Sequence, residues 1–274
     1  MMIDAHQHLW DTAVRDYAWM DGPWADPLRG RFDVERYAEA AKPLGVTGSV
    51  VVQATHSLAE TRELLATADA KPIEGVVGWI DLTTPDVADT IASLSGPLVG
   101  IRHQVEYESD PHWLARPDVR RGLRAVGSAG LVYELLVKPP QADAALAVAE
   151  ELPEVPFVLD HAGKPDIAGG VWEPWASWIM AMAGLPNVTV KLSGLVTEAA
   201  PGWKSADILP YARHVVDAFG PGRVMYGSDW PVCTLAASYG QVLELADAAL
   251  DGLSEMERAE VFEGTASRVY GIGG

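Results

Sequence analysis

The sequence predicts one α/β domain spanning residues 1–274, folded as a single (β/α)8 TIM barrel. Three observations carry that expectation. Eight short apolar, β-branched runs alternate with helical stretches, and each interval leaves room for one crossover helix. The runs are continuously apolar rather than strictly alternating, which suits strands covered on both faces of a parallel sheet. No linker-like stretch divides the chain, and no GxGxxG follows the first strand, so an open dinucleotide-binding sheet is disfavoured.

The strands are expected to begin near Ile3 (IDAHQH), Val46 (VTGSVVVQA), Gly75 (GVVGWIDL) and Val99 (VGIRHQV). Four more are expected near Val132 (VYELLV), Pro156 (PFVLDHAG), Val188 (VTVKLSG) and Val224 (VMYGSDW). Between them, Thr84 can cap a helix with Pro85 at its first position and Val87, Ile91 and Leu94 along one face. Pro117 opens another, with Val119, Leu123 and Val126 in line. Ile208, Ala212, Val215 and Phe219 mark a third that Gly220-Pro221 ends. Ser254 and Glu257 form a capping-box pattern, and the helix they start runs to about Tyr270. The long loop from Trp10 to Arg31 also carries Trp19 and Trp24 and is expected to cover one end of the barrel.

Composition narrows the function classes. The chain is 49% apolar and 21% charged, which excludes disordered, collagenous and coiled-coil classes. Its net charge of −18 repels phosphate backbones and anionic lipid, and Arg120, Arg121 and Arg124 in one helix are its densest basic group. The expected partner is a small molecule, with no nucleic acid and no membrane; a homo-oligomer stays open. A single cysteine, Cys233, leaves no disulfide framework and no Cys-rich zinc site. The start MMIDAHQHLWD lacks the marks of a signal peptide, and no apolar run reaches the ~20 residues of a membrane span, so a cytoplasmic protein is expected.

In such barrels the active site forms where the strands end. The polar residues at those ends are His6-Gln7-His8; Gln53 with His56; Trp79 and Asp81; Arg102, His103 and Gln104; Glu134 and Lys138; Asp160-His161 with Lys164; Lys191 and Ser193; and Ser228-Asp229-Trp230. Five of the seven histidines (6, 8, 56, 103 and 161) are among them. His6 and His8, two apart on a strand, point to one side, where two imidazoles can meet a divalent ion. With His161 and Asp229 they have the make-up of a three- or four-ligand nitrogen and oxygen site. Asp229 beside a bound water can take its proton and later return it; the competing role is a helix cap. Glu134 is either a further ligand or one half of a buried ion pair with Arg102 or Lys191. Arg102 and His103 alternate along their strand, so only one of them can face the lumen. His112 and His214 read as surface or packing residues. Cys233 lacks a histidine partner nearby, and no GxSxG elbow marks a serine hydrolase.

The segments IDAHQHLWD, GIRHQVE, FVLDHAGKP, VTVKLSGL, VMYGSDWP and TASRVYG, in that order over nearly the whole chain, resemble the amidohydrolase superfamily. The similarity is to its amidohydrolase-2 type, the branch of sugar-lactone hydrolases of the L-fuconolactonase and L-rhamnono-lactonase kind. The resemblance implies that His6 and His8 match the family's HxH, His161 its strand-6 histidine and Asp229 its strand-8 aspartate. It implies one divalent ion, commonly zinc, although some lactonases of this branch work without metal, so metal-free catalysis stays open. The fifth strand carries Glu134 instead of the carboxylated lysine of two-metal members. The implied reaction is hydrolysis of a sugar lactone to the aldonic acid by Asp229-activated water. Arg102, His103, Gln104, Lys164, Trp10, Trp230 and His56 are candidate substrate contacts. Two alternatives remain at this point. One is a metal-dependent decarboxylase, which would need a second catalytic histidine (His56 or His103) and an arginine pair. The other is a barrel kept for binding alone.

Overall fold

The computed structural model describes residues 2–68 and 70–273. Eight parallel strands hydrogen-bond to one another in chain order: β1 (Ile3–Gln7), β2 (Gly48–Val52), β3 (Ile73–Gly78), β4 (Leu98–His103), β5 (Val132–Leu135), β6 (Phe157–Leu159), β7 (Val188–Leu192) and β8 (Val224–Tyr226). The ring closes from β8 back to β1, where the Asp229 N–H donates to the His6 carbonyl at 2.8 Å and the His8 N–H to the Trp230 carbonyl at 2.7 Å. This is the expected (β/α)8 barrel.

The crossover helices are α1 (Val34–Ala41), α2 (Leu58–Thr67), α3 (Val87–Ala92), α4 (Pro117–Ser128), α5 (Ala142–Glu151), α6 (Trp175–Ala183) and α7 (Ser205–Phe219), followed by α8 (Tyr239–Ala249). Pro117 stands at the first position of α4, and α7 ends at Gly220. The Ser254–Glu257 capping box starts α9 (Glu255–Ala259), which continues through a π turn (Glu260–Gly264) into α10 (Thr265–Tyr270). One helix start differs from expectation. Asp81 accepts from the Thr83 N–H and hydroxyl, and its carbonyl accepts from the Thr84 hydroxyl, so these threonines are spent on a turn. Helix α3 then begins three residues after Thr84, and Leu94 falls beyond its end.

Two apolar layers result. Ile3, Ala5, Val50, Val52, Val77, Val132, Val158 and Met225 fill the lower lumen, closed by Ala266 and Tyr270 of α10. A larger layer packs the outer strand faces against the helices. Pairing of β1 with β2 shifts register between Asp4 and Gln7. Such an irregularity re-aims side chains, so the strand changes from apolar Ile3 and Ala5 below to the lumenal imidazoles of His6 and His8 above. The Trp10–Arg31 loop opens and closes with a two-stranded antiparallel ribbon, Trp10–Asp11 with Arg31–Phe32, and lies over the barrel mouth. No helix among the described residues is long and apolar enough to cross a membrane.

Candidate active site

The strand ends open into a cavity of about 480 Å³ whose floor and walls include His8, Arg102, Gln104, His161, Lys164 and Asp229. Cavities of this size suit small ligands. Its rim carries Trp19 and Trp24 from the long loop, with Glu106, Tyr107, Glu198 and Trp203 from later loops.

Backbone conformation marks the same place. Among the described residues, the non-glycine positions with left-handed φ are His161, Ala162, Lys164 and Asp229. Such conformations cost free energy and persist where the surroundings enforce them. With Gly163 also left-handed, residues 161–164 form one tight turn, which brings His161 and Lys164 to the same cavity. Space for the His161 ring depends on Gly194, since a Cβ there would lie 2.5 Å from its Nδ1. Asp4, buried outside the barrel wall, ties β1 to the loop that carries Asp229. Its carboxylate accepts from the Ser228 N–H and hydroxyl at 2.8 and 2.6 Å and from the hydroxyls of Tyr37 and Tyr239 at 3.0 and 2.7 Å.

His6, His161 and Asp229 offer donor atoms that all lie within 4.8 Å of one another, an arrangement able to hold a metal ion. His8 reaches two of the three, with its Nε2 3.2 Å from His6 Nε2 and 3.4 Å from Asp229 Oδ1. The Nδ1–H of His8 donates to the Val52 carbonyl at 2.8 Å, which turns its Nε2 toward the Asp229 carboxylate. Acceptors opposed at that distance call for a proton or a cation between them, and imidazole nitrogen with carboxylate oxygen is a zinc-type donor set. The residues present therefore fit a divalent ion.

Burial, reinforced by Lys191, holds His6 well below the ordinary imidazole range, and burial holds His161 at about 4. Both are neutral at pH 7, as metal ligands must be. Burial alone would raise the Asp229 carboxyl, but His161, His8 and Lys164 outweigh it, so it stays below its ordinary value and ionised. Its side chain faces these imidazoles and caps no helix: the short turn beginning at Val232 has no side-chain cap.

Beneath the cavity lies a network of buried charges. Arg102 faces the lumen, donating to Asp160 Oδ2 at 2.9 Å and to the Gln53 carbonyl at 2.5 Å, with Nη1 3.2 Å from His6 Nε2. Glu134 is paired with Lys191 at 2.6 Å and accepts from the Tyr270 hydroxyl at 2.5 Å. It is thus half of an ion pair, outside the His6–His161–Asp229 group.

His103 faces away from the lumen. Its ring is stacked between His56 and Trp113, with centroids 3.9 and 4.1 Å away; Trp79 Nε1–H donates to its Nδ1, and its Nε2 lies 2.7 Å from Glu108. Both ring nitrogens and both faces are occupied, which removes it as a substrate contact. His56 accepts the Gln104 N–H and borders a side recess with Trp19 and Tyr107. Trp10 and Trp230 are likewise core residues. Trp10 donates to the Leu28 carbonyl, Trp230 packs on Phe32 and Tyr37, and neither lines the cavity. The aromatic wall comes instead from Trp19, Trp24 and Trp203. The rim also holds a charged bridge absent from the sequence reading: Lys164 pairs with Glu106 at 2.7 Å and Glu198 at 3.6 Å, and Lys138 with Glu106 at 3.3 Å.

Burial lowers His56 and His103 to about 4, from an ordinary 6.5. The unfolded chain therefore binds these two protons first as pH falls. The stability they contribute is full above pH 6.5 and is lost progressively as pH falls toward 4. Urea midpoints are expected to decline across that window, less steeply in a His56→Asn variant; a flat profile would contradict the assignment.

L-fucono-1,5-lactonases from Burkholderia ambifaria and Burkholderia multivorans are 38% and 37% identical to the chain. The alignments cover 98% and 99% of this chain and 95% and 96% of theirs. A crystal structure of a Burkholderia multivorans amidohydrolase with bound zinc is 36% identical, with a TM-score of 0.93 over all of both chains. The amidohydrolase family pattern matches residues 3–272, and the chain belongs to that family.

Proposed function

We propose that this chain is a lactonase that opens a sugar-acid lactone of the L-fucono-1,5-lactone type to the aldonic acid. The observation that carries this reading is an ionised carboxylate, Asp229, held in a strained turn beside neutral imidazoles at the floor of a small cavity with a polar and aromatic rim. The near full-length similarity to two L-fucono-1,5-lactonases supports the substrate class.

Asp229 takes a proton from water as the water oxygen bonds to the lactone carbonyl carbon. Arg102 and His161 line the cavity where the oxyanion develops. On collapse, the bond from the acyl carbon to the ring oxygen breaks, and protonated Asp229 returns its proton to that oxygen. The product carboxylic acid then ionises, releasing one proton to solution. His6, His161 and Asp229, with His8, would hold one divalent ion, and zinc suits that donor set. Such an ion, when bound, polarises the carbonyl and makes water more acidic. Gln104, Lys164, Glu106 and Glu198 face the sugar hydroxyls, and Trp19 and Trp24 cover the ring.

The decarboxylase alternative is less well supported, because His103 is fully engaged, His56 accepts the Gln104 N–H and borders a side recess instead of the main cavity, and Arg102 is the sole arginine of the described cavity lining. Acid release from a panel of sugar γ- and δ-lactones, read with a pH indicator before and after chelation, tests the proposal. Turnover of an L-configured 1,5-lactone is expected, with a chelator-sensitive rate restored by zinc or manganese. Silence across the panel after metal is added back would overturn it.

A further inference from the structure

We infer that Lys191 is a built-in cation seated in a second ligand triad, and that removing its ammonium opens this triad to a divalent metal ion. The inference concerns the floor of the barrel and holds whatever lactone is turned over above it.

The triad consists of His6 on β1, Glu134 on β5 and Asp160 at the end of β6, all buried, with donor atoms within 4.8 Å of one another. Lys191 on β7 places its Nζ among them, 2.6 Å from Glu134 Oε1, 3.2 Å from Asp160 Oδ1 and 3.1 Å from His6 Nδ1. The ammonium thus stands where a metal ion ligated by these groups would stand. His6 serves both levels through opposite nitrogens: Nε2 faces Asp229 and His8, and Nδ1 faces Lys191, so ions at both levels together require its ring proton to leave to solvent.

The site has unspent acceptor capacity. Glu134 Oε2 and Asp160 Oδ1 are buried without a hydrogen-bond partner among the described residues, although Oδ1 lies within ion-pair distance of Lys191 and His6. Two carboxylates here are balanced by Lys191 and Arg102. Without the ammonium the dry interior loses a positive charge, and Glu134, which burial and Asp160 already raise to about 7, must take up a proton or a cation. Two carboxylate oxygens and one imidazole nitrogen form a donor set that zinc and manganese accept. Lys191 is therefore a positioning residue. It lies below the cavity lining, holds His6 and the two acids in place, and keeps the floor from taking up an ion of its own.

The test is metal content. Wild type and Lys191→Ala are stripped with chelator, loaded with excess zinc or manganese, freed of unbound ion by gel filtration and analysed by mass spectrometry. The variant is expected to retain one metal equivalent more than wild type, and its melting temperature is expected to rise more on loading. Equal metal content in the two proteins overturns the inference. If Lys191→Ala is insoluble when made in metal-depleted medium, the readout is solubility. Recovery in zinc-supplemented medium supports the inference. Insolubility in both media, with the Lys191→Ala/Glu134→Gln double variant soluble, overturns it, because charge would then be the defect and metal would have failed to relieve it.

Discussion

Replacing Asp229 with asparagine is expected to lower kcat/KM for lactone hydrolysis by about 10²–10⁴-fold, the range that a positioned general base contributes. The substitution separates chemistry from architecture. Asp229 has a φ of 56°, a region that asparagine tolerates better than most residues, so the turn is expected to survive. Its backbone N–H donates to the His6 carbonyl and its carbonyl accepts from the Cys233 N–H, and neither bond involves the side chain. Thermal unfolding should therefore change little while turnover is lost. KM should move less than kcat, since the group acts on the water rather than on the sugar. Metal content measured in parallel separates loss of the base from loss of a ligand. Activity within tenfold of wild type would remove Asp229 from the mechanism.

Much of this site was legible because a parallel barrel gathers its strand ends. Once IDAHQH, FVLDHAG and VMYGSDW read as strands, His6, His8, His161 and Asp229 had to share one end of the molecule. What strand parity decides was harder to read. Adjacent residues point to opposite sides, but which side is the lumen depends on register across the sheet. Arg102 and His103 could be ordered only from the structure, where Gly100 and Arg102 pair with Val132 and Glu134. Trp10 and Trp230 lie outside the cavity lining for a related reason: nearness in sequence to His8 or Asp229 puts an aromatic ring behind the site as readily as in it. Glu106 and Glu198 escaped notice because they lie on loops and acquire meaning only through Lys164, distant from both in sequence. Asp4 is similar. Its partners Tyr37, Ser228 and Tyr239 span most of the chain, and no local pattern links them.

Arg102→Met is expected to cost about 3–5 kcal/mol of stability, the usual loss when one partner of a buried ion pair is removed. Arg102 is 2% exposed, so the methionine stem can replace its packing but not its charge. Asp160, fully buried, would lose the 2.9 Å bond from Nη1, and the Gln53 carbonyl would lose its donor at 2.5 Å. Lysine is no substitute, because a single ammonium cannot span Asp160 and Gln53 as the guanidinium fork does. The loss should come chiefly from the stranded carboxylate, so the Arg102→Met/Asp160→Asn double variant should be more stable than the single one. Urea unfolding of the two variants measures this directly. A single variant within about 1 kcal/mol of wild type would show that Lys191 alone neutralises Asp160. The same arginine also approaches His6 Nε2 at 3.2 Å. Its loss should therefore impair turnover even at temperatures where the variant stays folded, because the imidazole facing Asp229 would no longer be held from below.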